Sequence, residues 1–190
     1  MKEIWNEKNC NIIQPIIDTI EELRNKKENV IIAIDGKCGS GKTTLAHFLK
    51  EKIDCNIFHM DDYFLPFEMK TQERLSKPGG NVHYERFYEE VLMPLQRQEQ
   101  VTYIPYRCTT GSYADPIMIE PKKINIVEGA YSLHPTLIGA YDYKVFLIQE
   151  DEVQLQRIGK RCGEEKLQQF IKLWIPLENY YFNELDIAGK

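Results

Sequence analysis

Gly36-Lys37-Cys38-Gly39-Ser40-Gly41-Lys42-Thr43 leaves this chain few folds to choose from. It matches GxxxxGK[ST] at every fixed position and lies between an apolar run, Val30-Ile31-Ile32-Ala33-Ile34, and a helix-forming segment, Thr44 to Lys52. An unbroken apolar run bounded by charge before and glycine after is the pattern of a strand buried on both faces of a parallel sheet. The glycines let the loop wrap back and turn successive backbone N–H groups inward, so that the nest and the following helix N-terminus hold phosphate oxygens. Lys42 supplies a point charge to the β- and γ-phosphates, and the Thr43 hydroxyl is placed for Mg²⁺. Gly36, Cys38, Gly39, Ser40, Gly41, Lys42, Thr43 and Thr44 are thus the expected cradle for ATP. The alternative, a chance glycine-rich turn, does not account for the strand and helix on either side.

The rest of the chain keeps the same rhythm. Ile12, Ile13, Ile16, Ile17, Ile20 and Leu23 recur at helical spacing, which makes residues 11–26 an amphipathic covering helix. Short apolar runs at 56–60, 124–127 and 143–148 alternate with helical stretches at 43–53, 84–99 and 151–161. The alternation predicts right-handed βαβ units in a three-layer α/β fold of the P-loop NTPase kind, with a mainly parallel sheet. Two segments interrupt it. Val101 to Tyr106 and Ile117 to Glu120 flank the turn-prone Thr109-Thr110-Gly111-Ser112, the pattern of an antiparallel edge hairpin within 101–121. Residues 151–190 read as a short lid and further helices, with Pro176 expected to kink or break the chain near Trp174. One domain is expected over 1–190, comprising an N-terminal helical part at 1–29, a core at 30–150 and the lid region.

Composition narrows the partners. The net charge of −5, with basic residues interspersed among acids, gives no track for nucleic acid. Cys10, Cys38, Cys55, Cys108 and Cys162 show no paired CxxC spacing, one of them lies inside the glycine-rich loop, and no apolar run is long enough to cross a bilayer. A reduced, cytoplasmic protein without a membrane span is expected. Met1 to Asn11 mixes charges with Ile4 and Trp5 and does not build a signal sequence. Self-association is left open.

His59-Met60-Asp61-Asp62-Tyr63-Phe64 follows the second predicted strand, at the end where open α/β sheets bind ligands. A hydroxyl acceptor needs a carboxylate near its proton, and Mg²⁺ needs anionic neighbours; one aspartate can serve either need. The other reading is an acidic turn that caps a helix.

The chain resembles the uridine kinase and phosphoribulokinase family of P-loop kinases from about Val30 to about Phe182. The likeness rests on five ordered pieces: Asp35-Gly36 through Thr44; Asp61-Asp62-Tyr63-Phe64; Lys77-Pro78-Gly79-Gly80-Asn81 before Tyr84-Glu85-Arg86-Phe87; Ile126-Val127-Glu128-Gly129; and Arg157-Ile158 with Arg161. The resemblance implies an ATP- and Mg²⁺-dependent kinase of a small-molecule hydroxyl, first among them the 5′-hydroxyl of uridine or cytidine. It makes Asp61 the catalytic aspartate, Glu128 the acidic residue that steadies Mg²⁺, and Arg157 and Arg161 lid residues beside Lys42. Spaced i, i+4, the two arginines can share one helix face and reach one phosphate chain, or they can form a solvated face paired with nearby glutamates. For the acceptor, the resemblance points to the positions of Tyr63, His83, Tyr106 and Arg107, the hairpin being the region that reads a base and Tyr106 an aromatic face on which a planar ring can stack.

Where many relatives carry an aspartate for the ribose hydroxyls this chain has His83, whose neutral imidazole accepts only one hydrogen bond. Arg107 is equally unexpected and suits a phosphorylated or carboxylated acceptor. Two further readings therefore stand: a kinase of a pantothenate-like or sugar-phosphate alcohol, and a regulatory nucleotide-binding module without acceptor turnover. The chain also stops soon after Tyr180-Tyr181-Phe182-Asn183, where relatives usually continue into a last strand. Either the sheet has one strand fewer or another segment replaces it.

Overall fold

The structure, a computed structural model, describes residues 10–189; the first nine residues, on which the signal-sequence expectation mainly rests, lie outside it with Lys190. Apolar runs without polar alternation must be covered on both faces, and the chain supplies helices to do so. In order the elements are α1 (Cys10–Lys26), β1 (Val30–Gly36), α2 (Lys42–Lys52), β2 (Cys55–His59), α3 (Gln72–Leu75), α4 (Tyr84–Phe87) and α5 (Met93–Gln96). Four short strands follow, β3 (Val101–Tyr103), β4 (Tyr106–Arg107), β5 (Ser112–Tyr113) and β6 (Ile117–Ile119). Then come β7 (Ile124–Glu128), α6 (Pro135–Ile138), β8 (Tyr143–Leu147), α7 (Asp151–Cys162), α8 (Glu164–Gln169) and α9 (Ile175–Glu184).

The main sheet has the order β2-β7-β1-β8 with every pair parallel. All seven residues of β1 are buried, as expected of its central place. On one face Val30, Ile32 and Ile34 join Ile16 and Ile20 of α1 and Leu45 and Leu49 of α2. On the other, Ile31 and Val127 join Phe87, Val91, Leu92 and Leu95 of the 84–96 helical segment. The three-layer α/β architecture with a mainly parallel sheet is therefore the one read from the apolar runs. Among the described residues the main sheet stops at four strands, and 164–184 is helical.

The hairpin differs in detail from the expected one. It is two short antiparallel ladders, β3 with β6 and β4 with β5, in place of a single long one. The break falls at Ile104-Pro105, where proline has no N–H to continue the ladder and instead its carbonyl accepts the Ala114 N–H at 2.8 Å. The Asn56 amide of edge strand β2 donates to the Glu120 carbonyl at 2.9 Å and ties the hairpin to that edge.

Pro176 does not break the C-terminal helix. A π turn at Phe170–Trp174 carries the chain into α9, with the Ile175 N–H bonded to the Phe170 carbonyl. A second π turn at Tyr88–Leu92 precedes Pro94 in the same way. In both places the missing proline N–H is absorbed by widening the preceding turn.

Candidate functional site

The glycine-rich loop leaves the carboxyl end of β1 and enters α2. Gly36 has φ 142°, and a Cβ there would lie 2.3 Å from the Leu147 carbonyl oxygen, so the close pairing of β1 with β8 requires glycine. Gly41, at φ 103°, is the residue that turns the chain into α2. Lys42 is 8 % exposed, and its ammonium donates to the carbonyls of Gly36 at 2.7 Å and Lys37 at 2.9 Å. The buried Ser40 hydroxyl has no partner among the described residues.

Two helices far along the chain hold this loop. From α7, Gln154 donates to the Cys38 carbonyl at 2.9 Å, and Arg157 donates to the Gly39 carbonyl at 3.2 Å and to Gln149 Oε1 at 2.6 Å. From α9, Glu178 Oε2 accepts the Cys38 N–H at 2.8 Å. The buried Asp35 just before the loop accepts from the Gly36 N–H, the Leu133 N–H and the Tyr181 hydroxyl at 2.6, 2.9 and 2.9 Å. Burial nevertheless dominates those donors and raises the Asp35 carboxyl to about 6.

Glu128 ends β7, in register with Ile34 of β1 and His59 of β2, so three strand ends meet beside the loop. Both of its carboxylate oxygens lie 3.1 Å from the Thr43 hydroxyl. His59 Nδ1 is 2.6 Å from Glu128 Oε1, and that bond holds the imidazole above its usual range. Gly129 follows at φ 138°; a Cβ there would come within 2.7 Å of Met60 Cβ, which keeps the Glu128 turn close against the Asp61 segment.

The adjacent aspartates are treated in opposite ways. Asp62 is buried, accepting from Tyr103 at 3.1 Å and Arg107 at 2.7 Å. Asp61 reaches solvent, yet the surrounding protein strips part of its hydration, and this crowding followed by the Glu128 charge raises its carboxyl above the usual range. Lys42 and His59 pull it the other way.

The other site residues named from the sequence differ in how open they are. Tyr63 is 1 % exposed, its hydroxyl bonded to Glu90 and its ring stacked with Tyr103 and edge-on to Phe87; it is a packing residue because the turn after β2 folds inward over α4. Tyr106 is 3 % exposed and packs against Tyr113, so it presents no open face for a planar ring. Arg107 is engaged by Asp62 with its side chain half-exposed. His83 is half-buried with Nδ1 unpartnered among the described residues, and burial lowers its pKa. Arg161 is not on the loop: its guanidinium lies 5.8 Å from the Phe170 ring and its Nε donates to Cys162.

His59, Asp35 and Glu178 are site neighbours to which the sequence motifs assign no role. His59 could have been found from its place two residues before Asp61 at a strand end. Glu178, 140 residues from its partner, left no local signal.

Among the described residues no three His, Cys, Asp or Glu side chains are grouped to hold a metal ion. The available oxygen donors are the Thr43 hydroxyl, Glu128 and the nearby Asp61. That sparse, hard set fits Mg²⁺, which binds one or two carboxylates and completes its shell with phosphate and water oxygens.

A glycine-rich loop between the central strand and a helix, in a parallel three-layer sheet, defines a P-loop nucleotide-binding domain. Residues 9–160 match the model of the KAP family P-loop domain, and the chain belongs to that family. No curated protein matches it in sequence. In fold it is similar to a putative fructose transport system kinase from Silicibacter sp., at 20 % identity and TM-score 0.65, covering 95 % of this chain and 93 % of that one. It is also similar to a possible uridine kinase from Bacillus stearothermophilus, at 19 % identity and TM-score 0.57, covering 84 % and 96 %. The likeness to uridine kinases thus holds at the level of a P-loop kinase fold, while the matching family is the KAP one.

Proposed function

We propose that this chain is an ATP- and Mg²⁺-dependent kinase that transfers the γ-phosphate to a hydroxyl of a small molecule. The observation that carries the reading is the division of labour between Asp61 and Asp62: one carboxylate is tied into the hairpin, and its neighbour is left open beside Glu128 and within the field of Lys42. A raised carboxyl at that point suits a group that accepts the acceptor's hydroxyl proton as the bond to phosphorus forms. Lys42 would leave its own loop carbonyls and turn to the β- and γ-phosphates, and Arg157 would bring a second positive charge from α7. Thr43 and Glu128, with Asp61 beside them, would hold Mg²⁺, which supplies charge neutralisation when bound. His59 would fix the orientation of Glu128.

A pyrimidine nucleoside 5′-hydroxyl is the first acceptor to test, on the strength of the ordered motifs and of the fold shared with a possible uridine kinase. A second reading, a non-nucleoside alcohol such as a sugar phosphate or a pantothenate-like acid, is favoured by the burial of Tyr106, which removes the aromatic platform expected for a base. Acceptor-dependent ADP production with uridine, cytidine, fructose, sugar phosphates and pantothenate, against an acceptor-free control, decides between them. ADP formed at the same rate with and without every acceptor would replace the kinase reading with that of a nucleotide hydrolase or switch.

A further inference from the structure

Glu178 is 6 % exposed, and among the described residues the donors it meets are both on Cys38: the backbone N–H at 2.8 Å and the thiol. An ionised carboxylate offers about four lone-pair sites, so this is a sparse set for a buried charge. The Asp35 carboxylate behind the same loop, by contrast, is held by three donors from three segments. Glu178 also lies in the field of Lys42, the cation that a phosphate chain would claim. A phosphate chain seated on Lys42 would therefore place several negative charges close to a buried carboxylate that has few donors of its own. Away from bulk water, like charges on one loop repel by an amount worth about several-fold or more in affinity.

We propose that Glu178 is a positioning residue of the phosphate loop, carried on α9, whose charge couples nucleotide binding to uptake of a proton. The inference rests on the loop's binding nucleotide and goes beyond the acceptor chemistry. The groups facing Glu178 are Asp35 from β1, Lys42 from α2, Cys38 from the loop and Tyr131 from the turn after β7. Tyr181, one helical turn further along α9, spends its hydroxyl on Asp35. Burial and the Asp35 charge favour the protonated carboxyl, while Lys42 and the Cys38 donors favour the anion. Nucleotide binding shifts the balance toward the proton, because the phosphates draw off the compensation from Lys42 and add repulsion. The same field is felt at Cys38, whose thiol is pushed up to about 12 by burial and then by Glu178. The carboxylate is delivered by α9, so that helix contacts the phosphate loop directly.

Affinity for ATP and ADP, measured by calorimetry between pH 6 and pH 8.5 with no acceptor present, tests this. Wild-type protein should bind more weakly as pH rises, approaching tenfold per pH unit where one whole proton is taken up. Glu178→Gln keeps the shape and an acceptor for Cys38 but removes the charge. It should flatten the slope and tighten ATP binding at pH 8 by about fivefold or more, with a smaller gain for ADP, which carries less charge. Wild-type binding repeated at pH 7.5 in buffers of different ionisation enthalpy counts the protons directly and requires no variant. Equal pH slopes in wild type and Glu178→Gln, or no net proton uptake by wild type, would overturn the proposal without touching the kinase reading. Proton-linked nucleotide binding without any acceptor-dependent ADP would do the reverse.

Discussion

The phosphate loop and the region around Asp62 and the hairpin are built by different means. On the phosphate side the working groups are mostly backbone, the N–H groups of one continuous loop, and Lys42 and Thr43 follow within the same eight residues. Distant helices contribute there, but chiefly by bonding to loop backbone, through Gln154, Arg157 and Glu178. The region from Asp62 through α3 and α4 to the hairpin is held by side chains from segments that meet only in the fold. Asp62 binds Arg107 of β4, Arg74 spans Glu85 and the Gly80 and Val82 carbonyls, and Arg86 binds Glu90 and the Ile104 carbonyl. A backbone nest tolerates change in the side chains around it. A lattice of ion pairs does not, because removing one partner leaves the other charge without its counterpart.

That contrast can be broken most directly at the paired aspartates. Asp61→Asn should lower kcat by about 10² to 10⁴ with an unchanged melting temperature, the usual cost of removing a general base. Asp62→Asn should instead cost about 1 to 2 kcal/mol of stability, through its bonds to Tyr103 and Arg107, and less than tenfold in turnover. Equal kinetic losses, read by steady-state assay beside thermal melts, would show that Asp61 and Asp62 work as one unit.

Lys42→Ala should lower kcat by about 10² to 10³ and leave cooperative melting intact, since the loop's backbone forms the nest whether or not the ammonium is present. Loss of folding would mean that the bonds from Lys42 to Gly36 and Lys37 are needed to close the loop.

The smallest expected effect separates the two arginines of α7. Arg157→Ala, which removes the contact with Gly39, should slow turnover by about tenfold, whereas Arg161→Ala should stay within about twofold of wild type. Matching losses in the two kinetic profiles would show that α7 rotates on nucleotide binding and brings Arg161 in from Phe170.

The sequence by itself determined the three-layer fold, the central strand and the phosphate loop. The physical reason is that each is encoded by neighbouring residues: a short unbroken apolar run bounded by charge and glycine suits a doubly covered strand, and Gly36, Gly39 and Gly41 permit the positive φ angles the loop adopts. Asp61 and Glu128 were legible as strand-end carboxylates for the same reason. The resemblance singled out Asp61 over Asp62, but only the tertiary structure shows what occupies Asp62: Tyr103 and Arg107, more than 40 residues away. It also decided that Tyr63 and Tyr106 are buried, that Arg157 and Arg161 part company, and that Glu178 closes on a loop 140 residues earlier. Contacts of that separation depend on how whole elements pack, and no short stretch of sequence records them.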